Sequence, residues 1–287
     1  MRRQSTKPTT DMKTAVIDVG SNSVRLMLVD GEHKIKRVTT TQLGRGLQKT
    51  GRLSDDRIEE TLQAIGEFIK LSGKSYVFAT EAVRASANGK EFCDKVYNLY
   101  GVKVDVLNKE EEAKAGFLGA TQGRMEASII DIGGASTEFA TNSDKGFNSV
   151  SLPLGAVRLT DKRLDGEDTL KYVEEFLPKF EFCGEVFGIG GTITSVVLMA
   201  QNLERYEVEK VHGYKLTEVA VSRLLKSLEG LTGKEIYATY PVIGEKRSGV
   251  IYEGIKLLSL IMTNYRISSI TVSDSDNTEG YLLLRNL

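Results

Sequence analysis

The chain has 287 residues, with 38 Lys and Arg against 39 Asp and Glu, 2 His and 2 Cys. At about 100–200 residues per domain it is long enough for about two, and 40% hydrophobic with 27% charged residues is a globular balance that excludes disordered, collagenous and disulfide-framework classes. A net charge of -1 gives no general pull on polyanions, so any phosphate recognition needs a local basic patch or backbone N–H groups, and neither nucleic acid nor membrane is an expected partner.

Residues 1–12 are basic and polar, lack the apolar stretch of a secretory signal, and read as a disordered tail. No run approaches the roughly 18–20 apolar residues of a membrane helix, and a cytoplasmic location is expected. Residues 14–17 form a short apolar strand stopped by the turn cluster from Asp18 to Ser23, and residues 24–29 return as a second strand. Residues 38–42 offer a third. Ser54 is placed as a helix N-cap, with Asp55 and Asp56 favoured by the helix dipole and Ile58, Leu62, Ile65 and Ile69 at helical spacing. Residues 76–79 read as a buried strand, 80–87 as a loop into a helix carrying Phe92 and Val96, and 102–107 as a strand. A helix begins at Glu110 and runs toward Gly119.

The pattern then restarts. Residues 127–130 predict a strand, 131–137 a turn and 138–141 a returning strand, so Asp18-Val-Gly-x-x-Ser23 has a near copy in Asp131-Ile-Gly-x-x-Ser136, 113 positions on. An internal duplication of that period predicts two similar α/β domains facing each other across a cleft. Further along, 186–189 reads as a strand before Gly190-Gly191-Thr192, 251–262 as a helix, 270–272 as a strand and 278–287 as a last helix.

Gly- and Ser-rich turns between strands expose backbone N–H groups that bind phosphate oxygens. Either loop alone could be an ordinary hairpin turn, but a hairpin has no need of the strand-end Asp, whereas a metal bridging phosphates does. The loop from Gly188 to Thr194 follows a strand and opens a helix, which makes a phosphate cradle, although it is neither G-x-G-x-x-G nor Walker A. Among Glu110, Glu111 and Glu112, one carboxylate is a candidate general base and the others suit a solvated first helical turn. Arg84, following a buried strand, suits bidentate phosphate binding. Two His without a triad pattern and the lack of Cys/His zinc spacing argue against His-based nucleophilic catalysis and against zinc. His33 reads as solvated, Cys93 as core, and His212 as structural or at the edge of the cleft.

In order along the chain stand AVIDVGSNSVRLML, FATEAVRAS, EEEAKAGFLGA, IIDIGGASTEFA, SLPLGAVRL, GIGGTITS, VHGYKL and ITVSDSDNTEG. Together they resemble the exopolyphosphatase / guanosine pentaphosphate phosphatase (Ppx/GppA) family, in its short two-domain form. The resemblance implies an α/β fold of two duplicated domains of the actin, sugar-kinase and heat-shock-ATPase type (ribonuclease H-like), with domain I at 13–122, domain II at 123–277 and the helix 278–287 packing back on domain I. It implies hydrolysis of terminal phosphate from inorganic polyphosphate, or alternatively from guanosine pentaphosphate (pppGpp), with Mg²⁺ or Mn²⁺, in a homodimer. Asp18 would bind the metal, and Ser21, Asn22 and Ser23 phosphate. Arg84 would clamp the terminal phosphates and Glu112 would be the general base. Asp131 and Glu138 would hold metal or the attacking water. Gly133, Gly134 and Ser136 would form the second phosphate loop, and Gly190, Gly191 and Thr192 a third.

Two departures concern substrate preference. Ala135 stands where the family usually has Gly, and Thr278 where it usually has Arg before Glu-Gly. Arg45, Arg158, Lys215, Lys246 and Arg247 are candidates for a basic track. A small-molecule kinase of the same superfold, with adenosine at Gly190-Gly191, and a binding regulator without catalysis are the competing readings.

Overall fold

The structure, a computed structural model, describes residues 13–31, 33–162 and 166–287; the expected N-terminal tail lies outside them. The chain packs as two compact units. One runs to Ala115 and is resumed by Asn277–Leu287; the other is Gly116–Asp276. No helix among the described residues is long and apolar enough to cross a membrane.

In unit 1, β1 (Thr14–Val19), β2 (Ser23–Asp30) and β3 (His33–Thr40) form an antiparallel meander. After α1 (Leu47–Thr50) and α2 (Asp55–Ile69), β4 (Lys74–Ala79) joins β1 in parallel. α3 (Glu81–Ala85) and α4 (Gly89–Tyr100) lead to β5 (Val104–Val106), parallel to β4, and the sheet order is β3-β2-β1-β4-β5. Next comes α5 (Lys109–Thr121).

The third strand begins five residues earlier than the expected Val38. Lys34, Lys36 and Arg37 hide it, because an exposed edge strand has no buried face to impose apolar alternation and favours charges that block edge pairing. The expected 80–87 loop holds a short helix instead. Ser54 occupies the cap position of α2, but its side chain makes no capping bond. Its hydroxyl serves the Asp56 carboxylate, holding it below its ordinary pKa.

Ile58, Leu62, Ile65 and Phe68 of α2 bury one face of this sheet together with Phe92 and Val96 of α4. The other face carries Val16, Met27 and Phe78 and is covered from α14 (Asn277–Arg285). Tyr281 stacks on Phe78 with centroids 4.5 Å apart. Arg285 Nε donates to Asp105 at 2.8 Å and Nη1 to Glu111 at 2.9 Å. Burial, then the neighbouring Asp105 carboxylate, pushes the Tyr281 phenol up to about 12.

Unit 2 repeats the plan. β6 (Ala127–Ile132), β7 (Thr137–Ser143) and β8 (Gly146–Leu152) are an antiparallel meander. α6 (Ala156–Lys162) and α7 (Gly166–Phe176) precede β9 (Glu185–Ile189), parallel to β6, and β9 runs into α8 (Gly190–Ala200). Then come α9 (Val208–Val211), β10 (Lys215–Thr217), α10 (Glu218–Ser227), α11 (Gly233–Thr239), a 3₁₀ turn at Pro241–Ile243, α12 (Glu245–Ser248) and α13 (Ile251–Asn264). β11 (Ser269–Val272) pairs with β9 in parallel, and the order is β10-β11-β9-β6-β7-β8. Without the added antiparallel edge β10, strand order and direction match unit 1. Its largest core lies under α8 and α13, with Ile193, Val196, Val197, Leu258 and Ile261 fully buried.

Candidate functional site

The two hairpin turns share the same closing bond. Gly20 N–H donates to the Ser23 carbonyl at 3.0 Å, and Gly133 N–H to the Ser136 carbonyl at 2.9 Å. A Cβ on either glycine would lie 3.2 Å from that carbonyl oxygen. The expected second turn of 131–137 is shorter than read. Asp131 and Ile132 are still strand, and only 133–136 turn, because Asp131 pairs with Glu138 and Ile132 with Thr137 across the ladder.

Each loop has its carbonyls tied down. The Ser21 carbonyl accepts from Gly44 N–H at 2.8 Å, and the Asn22 carbonyl from Thr41 and Gln42 N–H at 3.1 and 2.9 Å. The Gly133 carbonyl accepts from Ala156 N–H at 3.0 Å and the Gly134 carbonyl from Val157 N–H at 2.9 Å. In a trans peptide the carbonyl and the next N–H point in opposite directions. Fixing the carbonyls on one side therefore turns N–H groups to the other, the arrangement that backbone nests use. Ala135 is not in the left-handed region, so its methyl group brings no backbone strain.

Asp18 is buried, 5% exposed, and stands opposite Arg25 in the β1–β2 register; Asp131 stands opposite Glu138 in β6–β7. Directly opposed side chains share a sheet face. Glu138 is in turn opposite Ser151, whose Oγ donates to Glu138 Oε1 at 2.8 Å. Unit 2 thus carries a row Asp131, Glu138, Ser151. The corresponding row of unit 1 has Arg25 in place of Glu138, a residue that the 113-position offset could have singled out.

The Gly190 loop serves these groups. Gly190 has φ +88°, and a Cβ there would lie 2.1 Å from Asp131 Oδ1. A Cβ on Gly191 would lie 2.5 Å from Arg247 Nη2, and Arg247 Nη1 donates to the Gly191 carbonyl at 3.0 Å and Ser195 Oγ at 3.1 Å. Thr192 is buried, with its methyl beside Gly254 of α13. All three lie in the first turn of α8. Of the basic-track candidates, Arg247 sits on this turn, Arg158 on the second loop, and Arg45 beside Gln42, which braces the first loop.

Arg84 and Glu112 come together although 28 positions separate them. Arg84 Nη1 donates to Glu112 Oε2 at 2.9 Å and to the Leu107 carbonyl, while Nη2 donates to Glu81. Burial lowers the Arg84 pKa, but hydrogen bonds to Glu112 and then Glu81 outweigh it and leave the guanidinium above its ordinary value. Register explains the meeting. Val19 pairs with Ala79 and Ala79 with Val106, so the first loop, α3 and the lead into α5 leave the same carboxyl edge of the sheet, where open α/β sheets bind ligands.

The three glutamates separate by environment. Glu110 is exposed. Glu111 caps α5 reciprocally: Asn108 N–H donates to Glu111 Oε2 at 3.0 Å, and Glu111 N–H to Asn108 Oδ1 at 2.9 Å. The Asn108 N–H, then Arg285, hold Glu111 below its ordinary pKa. Glu112 is the carboxylate turned to Arg84. Glu81, the second partner of Arg84, escaped the sequence reading. His212 is a structural tie: Nδ1 accepts from Asp274 N–H at 3.2 Å, and the Gln122 amide lies 3.1 Å from Nε2.

These features define a mixed α/β protein with a duplicated Gly-Ser turn beside a strand-borne Asp. A model of the Ppx/GppA phosphatase family matches residues 30–286, and the chain belongs to that family. The bifunctional 3-dehydroquinate synthase/phosphatase of Fusobacterium nucleatum is 29% identical over 94% of this chain, which spans 46% of that relative's length. Exopolyphosphatase 2 of Mycobacterium tuberculosis is 27% identical, covering 94% of this chain and 98% of that protein. The crystal structure of the type II variant of the Aquifex aeolicus Ppx/GppA phosphatase superposes with TM-score 0.85 at 29% identity, covering 96% of this chain and 100% of the other. A second Aquifex aeolicus family structure gives 0.83 at 30% identity, covering 96% and 97%.

Proposed function

We propose that the chain is an exopolyphosphatase, a hydrolase that removes the terminal phosphate of inorganic polyphosphate with water as nucleophile. The observation that carries this reading is the 2.9 Å contact of Arg84 Nη1 with Glu112 Oε2 at the carboxyl edge of the sheet. A guanidinium suited to phosphate beside a carboxylate supports this reading. Membership of a phosphatase family supports the same reaction class.

In this mechanism Glu112 accepts the proton of the attacking water at a carboxylate oxygen. Arg84 leaves its carboxylate partners for the phosphate, for which its fork is equally suited. The N–H groups of the loops at Ser21, Asn22 and Ser23 and at Gly133, Gly134 and Ser136 stabilise charge on the phosphoryl oxygens.

Asp18, Asp131 and Glu138 supply only oxygen donors, which suit a hard cation. Among the described residues no three or more His, Cys, Asp or Glu gather as a metal cage. Mg²⁺ needs none, since one or two carboxylates, water and substrate phosphate commonly hold it. Gly190 lets the Asp131 carboxylate approach its backbone, since a Cβ there would lie 2.1 Å from Oδ1. These residues therefore fit Mg²⁺ or Mn²⁺, which when bound supplies positive charge against the phosphoryl oxygens. Gly190 and Gly191 act by making room for Asp131 and Arg247.

The test is phosphate release from polyphosphate, pppGpp and ATP with Mg²⁺. Release from polyphosphate supports the proposal, and preferential release from pppGpp replaces it with the guanosine pentaphosphate reading. Transfer to an acceptor without free phosphate would make the chain a kinase. A homodimer belongs to the same proposal, and sedimentation equilibrium checks it.

A further inference from the structure

The second loop differs from the first in how it is held. Around Ser21 and Asn22 every brace among the described residues is a backbone N–H. Around the second loop the braces of Gly133 and Gly134 are backbone N–H groups from α6, but the Ala135 carbonyl accepts from a side chain, Arg158 Nε, at 2.9 Å. Arg158 also donates its own N–H to the Gly134 carbonyl at 3.1 Å, so the residue is fixed at backbone and side chain alike. With Nε committed, Nη1 and Nη2 have no hydrogen-bond or ion-pair partner among the described residues, and the side chain lies at the exposed rim of the loop. The Ala135 carbonyl belongs to the peptide that carries the Ser136 N–H. The guanidinium thus draws that carbonyl back from the anion side while adding a positive charge beside it.

A guanidinium pinned by one nitrogen and open at its fork is preorganised for a tetrahedral oxyanion. Arginine gives planar, paired donors there, and pinning removes part of the ordering cost. The nest itself takes one phosphate. We propose that Arg158 is a specificity-determining residue that binds the phosphate adjacent to the one seated on the second loop, so that the site favours substrates with several linked phosphates. The assignment rests on the phosphohydrolase reading above and names the subsite that recognises a linked second phosphate.

The experiment compares wild type, Arg158→Gln and Arg158→Lys on tripolyphosphate and on longer polyphosphates of defined length, at several salt concentrations. Tripolyphosphate binding is measured separately by calorimetry without turnover. Arg158→Gln is expected to raise KM about 10-fold or more on tripolyphosphate and on the longer chains alike, with kcat changed less than about twofold, as fits loss of a charge-assisted contact made equally in ground and transition states. The slope of log KM against log salt should shrink by about 0.7, the value for one phosphate contact on a single-stranded polyanion. Arg158→Lys, which keeps the charge but not the Nε brace, should recover the salt slope and only part of KM.

A fall in kcat on all lengths with an unchanged salt slope overturns the assignment and leaves Arg158 a loop brace. Equal KM for wild type and Arg158→Gln overturns it as well. Wild type that binds tripolyphosphate but releases no phosphate overturns the hydrolase reading instead, and the calorimetric salt slopes of the variants then decide the Arg158 contact by themselves.

Discussion

Arg84 holds Glu112 at 2.9 Å and Glu81 with its other terminal nitrogen. One guanidinium is thus shared between two carboxylates of unequal standing. Glu112 is fixed at the start of α5, while Glu81 lies three positions away on the same short helix as Arg84. In the proposed mechanism, a phosphate bound at Arg84 would replace carboxylates, not water. Such binding would release Glu112 from its cation as the substrate takes that cation up.

Glu112→Gln is expected to lower kcat by about 10²–10⁴ while leaving substrate affinity within a few-fold, since the amide keeps the shape and loses the proton acceptor. Steady-state kinetics on polyphosphate, with Glu110→Gln and Glu111→Gln alongside, check it. A loss confined to either neighbour instead of Glu112 would reassign the base.

Arg84→Lys keeps one charge but cannot reach the Leu107 carbonyl, Glu112 and Glu81 together as the fork does. The expected outcome is a drop in kcat/KM of about 10- to 100-fold, in line with loss of a charge-assisted contact. An unchanged kcat/KM would remove Arg84 from phosphate recognition.

Asp131→Asn and Asp18→Asn should each move the Mg²⁺ concentration for half-maximal activity upward by about tenfold or more, as loss of a hard oxygen ligand does. Titrating Mg²⁺ against activity reads this directly, and curves superimposed on wild type would exclude these carboxylates as metal ligands.

Gly190→Ala combines a φ of +88° with a Cβ 2.1 Å from Asp131 Oδ1, whereas Gly230→Ala has a φ of +79° and open space. Strain at such a position costs about 1–3 kcal/mol. Urea unfolding of both variants should show Gly190→Ala the less stable, and only Gly190→Ala should disturb the Mg²⁺ response. Equal losses would mean that Asp131 moves aside without effect.

Glu111 has its pKa below the ordinary 4.5 in the folded chain, first through the Asn108 N–H and then through Arg285. A depressed carboxylate contributes stability above its unfolded pKa and loses it as pH falls through the folded value. Wild type should therefore lose melting temperature below about pH 4.5 more steeply than Glu111→Gln, which lacks this titration. Thermal scans between pH 3 and 6, at about half-unit steps, would detect it. Parallel curves would mean that the cap does not carry the pH response.

How much was legible in the sequence follows from where each signal resides. The hairpins at Asp18 and Asp131 announce themselves locally through turn residues, and their spacing exposes the repeated sheet. The Asn108-x-x-Glu111 spacing was also local, a capping-box pattern that could have separated Glu111 from Glu112 without coordinates. By contrast, Arg84 meets Glu112 across 28 positions and Arg247 meets Gly191 across 56. Register and helix packing create those contacts, and residue types alone do not encode them. The three-residue β10 and the seven-residue α11 are too short for periodicity to mark.

The stack of Tyr281 on Phe78 closes one side of the unit 1 sheet with a helix that follows all of unit 2 in the chain. On the ribosome, β1 to β5 emerge early, but the cover over Val16, Met27 and Phe78 stays incomplete until residues 277–285 have been made. The first unit begun is therefore the last to be completed. During that interval its apolar face stays partly exposed, the kind of surface that makes folding intermediates prone to aggregate.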